Sequence, residues 1–191
     1  PIKRMLERKL RIPVFVDNDV NLITLAEWRL GAARGAKNLL CITLGTGVGG
    51  GLILDNKLYR GAHFLAGEIG HSPINEFGPT CNCGGQAHLE RYVGNKYILA
   101  RARNVFKNKD LTLEKISLLA KKGNPAAINI WQDVGRRVGI ALCSAVNLLN
   151  LEIIVIGGGV SSAGKPLFES IKKTILKSAM PILGRQVRIV K

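Results

Sequence analysis

Two short apolar runs, each closing on a cluster of glycines, restrict what this chain can fold into. Leu39–Leu44 and Glu152–Ile156 are rich in branched residues and read as buried strands. The first runs straight into Gly45-Thr-Gly-Val-Gly-Gly-Gly51 and the second into Gly157-Gly-Gly159. Segments of helical periodicity surround them. Val20, Ile23, Leu25, Ala26, Trp28 and Leu30 recur as far as Gly31, and Thr112 to Ala120 is a short amphipathic helix. Asn124-Pro125 then supplies a cap and a proline at the first position of a long helix, whose buried face is predicted at Ala127, Trp131, Val134, Val138, Ala141, Ala145 and Leu148. Gly135 and Gly139 each cost about 1 kcal/mol inside that helix, so close packing against a neighbour is expected there. A further helix spans Pro166 to Ala179, and alternating strands and helices make the class α/β.

The N-terminal part reads as a helix over Lys3 to Leu10, then a strand, Ile12–Val16, that delivers Asp17-Asn18-Asp19 to its C-terminal end. Asn18 or Asp19 is the expected N-cap of the following helix. Asp19 either only caps or is a reacting carboxylate, because strand ends in α/β proteins are where reacting groups gather. Gly45, Gly47 and Gly50 satisfy G-x-G-x-x-G, but a dinucleotide fingerprint must open a helix, and here the strand Leu52–Leu54 and a turn at Asp55-Asn56 follow. The other motifs of a protein kinase are absent too. What remains is a hairpin that either cradles an anion, with the Thr46 hydroxyl as an added donor, or holds nothing. Gly157-Gly158 allows a ring or phosphate to lie on the backbone, or close packing, or both.

Chemistry-bearing residues crowd into Ala66-Gly-Glu-Ile-Gly-His71 and Cys81-Asn-Cys83-Gly-Gly-Gln-Ala-His88-Leu-Glu90, from which a helix continues to Ala102. His71, Cys81, Cys83 and His88 suit a tetrahedral zinc ion, although the two thiols also fit ordinary reduced cysteines in a surface loop. Four cysteines are too few for a disulfide scaffold, and Cys41 and Cys143 lie in apolar runs as small hydrophobes. No apolar run spans a membrane and no signal peptide opens the chain, so a cytoplasmic location is expected. The net charge of +15 is scattered over amphipathic segments, which describes a solvated basic surface. Nucleic acid as a partner would require an upstream helix-turn-helix.

Taken in order, Asn18-Asp19, Leu44-Gly-Thr-Gly-Val-Gly-Gly-Gly51, Gly67-Glu-Ile-Gly-His71, Cys81-Asn-Cys83-Gly with Leu89-Glu90, and Ile156-Gly-Gly-Gly-Val160 resemble the ROK family of repressors, open reading frames and sugar kinases. The resemblance implies the actin-like ATPase and sugar kinase fold, in which two α/β domains close over a sugar and ATP. It implies Asp19 as general base, Asn18, Glu68, His71 and Glu90 as ligands of sugar hydroxyls, Thr46 and Gly47 as a phosphate motif, and Gly157 and Gly158 as the adenosine motif. ATP, Mg²⁺ and a structural Zn²⁺ held by His71, Cys81, Cys83 and His88 follow as cofactors, with a hexose or N-acetylhexosamine as substrate and a homodimer as the usual assembly. Two departures stand out: His88 replaces the family's third zinc cysteine, and its Asp-x-Gly-Gly-Thr phosphate motif is absent. The chain is therefore expected to be an excerpt, a single region of residues 1–191 with the sugar and zinc cleft at 17–90 and the adenosine side at 124–191. The competing readings are the sugar-sensing domain of a ROK repressor and a non-catalytic fragment.

Overall fold

The computed structural model describes residues 1–191, which are built around one five-stranded mixed sheet. Its strands are β1 (Leu39–Leu44), β2 (Val48–Leu54), β3 (Lys57–Tyr59), β4 (Ile153–Gly157) and β5 (Arg188–Val190), in the spatial order β3-β2-β1-β4-β5. The hairpins β1-β2 and β2-β3 are antiparallel, whereas β4 lies parallel to β1 and β5 parallel to β4. Asp55 and Asn56 both take positive φ, 48° and 61°, as a two-residue hairpin turn demands.

β1 and β4 are apolar on both faces because both faces are covered. On one side α2 (Asp19–Arg29) lies over a small core that includes Leu39, Cys41, Ile53, Ile153 and Val155. Burial there pushes the Cys41 thiol up to about 11, so it stays a protonated hydrophobe. On the other side a larger core joins Leu40, Ile42, Leu44, Ile154 and Ile156 to the long helix α6 (Pro125–Leu149). Asn124 caps α6 by accepting a 3.0 Å hydrogen bond from the Ala127 amide. Its two internal glycines are where α7 (Lys165–Ser178) comes closest: a side chain at Gly135 would strike the Leu167 carbonyl and Ser170, and one at Gly139 would lie 2.6 Å from Thr174 Cβ. The expected close packing is there.

Other expectations are corrected. Ile12–Val16 is not a strand: it is an extended loop with Phe15 86% and Val16 58% exposed. Strand propensity expresses itself only against a partner, and this segment has none. The preceding helix, α1 (Ile2–Leu10), forms but buries no residue. In α2 the buried side chains are Val20, Asn21 and Thr24, while Ile23 and Leu30 face solvent. Gly94, in an extended conformation, divides the helix expected from Leu89 onward into α3 (Glu90–Val93) and α4 (Asn95–Phe106). Leu148, placed on the buried face of α6, is 81% exposed. Two short helices complete the chain, α5 (Leu113–Lys121) and α8 (Pro181–Gln186).

The glycine run is also used differently from the expectation. Gly49, Gly50 and Gly51 belong to β2, paired with Thr43, Ile42 and Cys41, and only Gly45-Thr46-Gly47 forms the turn. Successive residues of a strand face opposite ways. A side chain at Gly49 would lie 2.6 Å from Val20 Cγ2 and one at Gly51 would strike Thr24, so α2 presses on that face. At Gly50 the opposite face meets the Gly67 carbonyl and Ile69. Gly50→Ala is expected to cost about 1–3 kcal/mol, because the backbone of residue 67 must move, while Gly45→Ala, which points into open space, stays within about 0.5 kcal/mol of the parent. Paired denaturant titrations check both.

Candidate functional site

Three segments converge on β2 and the turn that precedes it. The first is a short 3₁₀ turn, Ile69–His71, entered through Gly67 at φ 94° and pressed on Val48 by Gly70. The Ser72 carbonyl accepts from the Leu89 amide at 3.0 Å, and an isolated bridge pairs Pro73 with His88, so the two chemistry-rich stretches run side by side. Between them the chain doubles back at 81–85, where the Cys81 amide donates to the Gly85 carbonyl at 2.7 Å. A side chain at Gly85 would strike the His88 ring, which explains the glycine there.

This folding places one donor atom each of His71, Cys81, Cys83 and His88 within 4.8 Å of one another. Cys81 Sγ is 3.7 Å from His71 Nδ1, and Cys83 Sγ is 3.3 Å from His88 Nδ1. Bonds of about 2.3 Å to sulfur and about 2.0 Å to nitrogen put adjacent tetrahedral N and S ligands about 3.5 Å apart, so the donor set fits a zinc-sized ion. The two imidazoles meet edge to face at 5.4 Å between centroids. His71 turns Nδ1 toward the thiols, and its Nε2 lies 3.7 Å from Glu68 Oε2.

Glu90 sits at the head of α3 and points to the hairpin: its Oε2 accepts from the Val48 amide at 3.0 Å, beside Gly47. The Asn95 amide donates to the Gly45 carbonyl at 2.9 Å, and these two bonds fasten the Gly45-Thr46-Gly47 turn to α3 and α4. Gly158, at φ 82°, abuts the backbone of Leu44, so the two glycine turns adjoin where β1 and β4 end. The outward faces of Gly45 and Gly159 are open.

Asn18 and Asp19 head α2, which lies on the opposite face of β2 from the segment that carries Glu68. Asn18 is the N-cap of α2, its Oδ1 accepting from Val20 and Asn21 amides at 2.8 and 3.4 Å. Its side-chain amide NH₂ is left as a donor. Asp19 is exposed and accepts a single 2.9 Å bond from the Val20 amide through Oδ1. No hydrogen bond or ion pair joins Asp19 to Glu68, His71 or Glu90. The link is made by residues that sequence reasoning missed: Asp17 Oδ2 accepts from Arg60 Nε and Nη2 at 2.8 and 2.6 Å. Only the adjacency of Asp17 to Asn18-Asp19 could have signalled it. A cleft of about 750 Å³ between α6 and α7 contains none of the expected site residues.

The sequence matches the ROK family over residues 1–191. The chain belongs to the ROK family. It is 38% identical to a glucokinase of Halalkalibacterium halodurans over 99% of its own length and 62% of that protein's. A ROK family glucokinase from Streptomyces griseus, solved with glucose and AMPPNP, superposes with a TM-score of 0.86 at 30% identity, over 99% of this chain and 66% of that one. A ROK family transcriptional regulator, a homologue of the E. coli MLC protein, superposes with a TM-score of 0.92 at 29% identity, over 99% and 50%. The fold is thus that of the ROK sugar kinases, the actin-like ATPase fold. This ROK chain spans less than two thirds of the curated relatives it matches. None of its helices is long and apolar enough to cross a membrane.

The Asn21 amide, above all, holds the Asp17 carboxyl below its usual value of 3.8; burial pulls the other way, and the Arg60 guanidinium adds to the lowering. A lowered native pKa stabilises the fold at every pH above the unfolded value and loses that effect as pH falls through the native one. Asp17→Asn is expected to cost about 1–2 kcal/mol at neutral pH, from the loss of charge-assisted hydrogen bonds at a partly exposed pair. The gap between the two proteins should stay constant down to the ordinary carboxylate range and close below it, as denaturant titrations across pH will show.

Proposed function

We propose that this chain supplies the hexose-binding face and the adenosine side of an ATP-dependent sugar kinase of glucokinase type, acting on a glucose-like hexose or an N-acetylhexosamine. The observation that carries it is the arrangement around β2. An exposed carboxylate, Asp19, heads a helix on one face, the Glu68–His71 turn lies on the other, and two glycine turns adjoin at the ends of β1 and β4. In α/β sheets ligands bind outside the carboxyl ends of parallel strands, which is where these turns stand.

In this reading Asp19 takes the proton from a sugar hydroxyl as its oxygen attacks the γ-phosphorus, and the bond to the β-phosphate oxygen breaks to release ADP. Phosphoryl transfer asks the protein mainly for positioning and charge neutralisation, so one well-placed carboxylate suffices as base. The Asn18 side-chain NH₂ donates to the sugar, and Glu68 and His71 Nε2 complete the hydroxyl contacts. Glu90 contributes its second oxygen, since the Val48 amide occupies Oε2. Backbone amides of the Gly45–Gly47 turn and the Thr46 hydroxyl receive phosphate oxygens, while Gly157 and Gly158 bear the adenosine. Mg²⁺ accompanies the nucleotide as its counterion. A zinc ion held by His71, Cys81, Cys83 and His88 would supply no chemistry beyond fixing the plane of the His71 ring, leaving Nε2 for the substrate.

A second reading is supported by the 0.92 TM-score against the transcriptional regulator. There the same sugar face senses a ligand without turning it over.

A coupled ATP assay on the full-length protein, with glucose, N-acetylglucosamine and N-acetylmannosamine, separates the two. Turnover of one sugar is expected, with Asp19→Asn lowering kcat by about 10²- to 10⁴-fold at little change in sugar KM. Sugar binding without turnover would favour the regulator. Elemental analysis should find zinc near one equivalent per chain. Cys83→Ser and His88→Ala should each reduce it and raise the sugar KM more than they lower kcat. A metal-free protein of full activity would remove zinc from the site.

A further inference from the structure

The stretch before Asp19 has little to hold it. Ile12, Phe15 and Val16 are exposed, α1 buries nothing, and the Val14 amide makes one long bond to Glu7. Yet the turn that presents Asn18 and Asp19 is fixed, and the reason is Asp17. Its carboxylate is fully used: Oδ1 accepts from the Asn18 amide and from Asn21 Nδ2, both at 2.8 Å, and Oδ2 takes both Arg60 nitrogens. Asn21 is itself 95% buried, so this end of the network is anchored in the interior. A carboxylate so occupied has no room to act as a base, and its effect must be exerted through its neighbours.

Arg60 is the other end. It follows β3 directly, and its carbonyl accepts from the Ala66 amide at 3.0 Å, closing a loop that opens with Gly61 at φ 72° and leads straight into Gly67 and Glu68. The Arg60 backbone therefore fixes the entry to the Glu68–His71 turn, while its side chain reaches across the sheet edge to Asp17. No other hydrogen bond or ion pair connects residues 17–30 with residues 60–71. Each group rests on its own face of β2, and only this pair ties one to the other.

We infer that Asp17 and Arg60 form a positioning clamp that sets the gap between Asp19 and the Glu68–His71 turn, and with it the placement of the sugar hydroxyl against the carboxylate that deprotonates it. The inference deepens the proposed sugar site and rests on it. Two nitrogens on one oxygen demand a guanidinium, so lysine at position 60 is a poor substitute. An error of about 1 Å in such a placement costs roughly 10²-fold in rate, which sets the scale of the effect.

A double-mutant cycle on the full-length protein tests it, using Asp17→Asn, Arg60→Met and the pair, with kcat, sugar KM and the sugar dissociation constant read for each. Each single change should lower kcat about ten- to a hundredfold and raise KM by much less. The double variant should be no worse than the worse single one, and Arg60→Lys should recover only part of the loss. Circular dichroism confirms the fold, and Asp17→Glu gives a second entry to the cycle if Asp17→Asn is unstable. Additive losses, or an Arg60→Met protein within twofold of the parent, would overturn the clamp. If the parent binds sugar without turning it over, the kinase reading fails on its own. The clamp is then judged on the dissociation constants, where non-additivity sustains it and additivity rejects it.

Discussion

Two elements can press directly on the backbone of one strand from both faces only where it carries no side chains, and β2 meets the condition at Gly49, Gly50 and Gly51. Helix α2 lies against the first and third, and the turn behind Glu68 lies against the second. The Val20 and Thr24 side chains on one face and the Gly67 backbone on the other thereby seat each element directly on the strand. A methyl group on either face would push α2 or the turn away from the strand. Gly67 and Gly70 extend the same device to the turn itself, since their faces meet the backbones of Gly50 and Val48.

On that frame the polar groups divide the work. Asp17 is spent on structure, on Arg60 and Asn21, whereas Glu90 gives one oxygen to the Val48 amide and keeps the other. Asp19 and Glu68 remain exposed, with oxygens free for a ligand. His71 stands between the two uses. One nitrogen faces the thiols and the other faces Glu68, so whatever holds the Cys81, Cys83 and His88 side also sets the direction in which His71 donates or accepts. An imidazole at His88 in place of a thiolate leaves such a site with two thiolate charges to balance a divalent ion, a neutral centre in place of an anionic one.

Much of this was legible in the chain. β1 and β4 announce themselves as unbroken apolar runs, Asn124-Pro125 marks the head of α6, and Gly135 and Gly139 signal the contact with α7. The four candidate metal ligands are found together as their clustering suggests. What failed did so for identifiable reasons. Ile12–Val16 has strand composition but no strand beside it, and composition cannot supply a partner. In α2 the periodicity holds at Val20, Leu25 and Trp28 but fails at Ile23 and Leu30, and it misses Thr24, which is buried against Gly51. The glycine run reads as one loop before Leu52, because glycine spacing does not distinguish the turn at Gly45–Gly47 from the strand residues Gly49–Gly51 that must admit their neighbours. The Asp17–Arg60 pair spans 43 residues and follows no local period, so nothing short of the fold could show it.

The central claim is that Asp19 and the Glu68–His71 turn address one sugar from two sides of β2. It is tested most directly by a crystal structure of the full-length protein with a bound hexose. The Asp19 carboxylate should lie within about 2.6–3.2 Å of one hydroxyl of that sugar while Glu68 and His71 Nε2 bond to others on the same ring. A hexose held by Glu68 and His71 with Asp19 turned to solvent, or one bound elsewhere in the molecule, would contradict it.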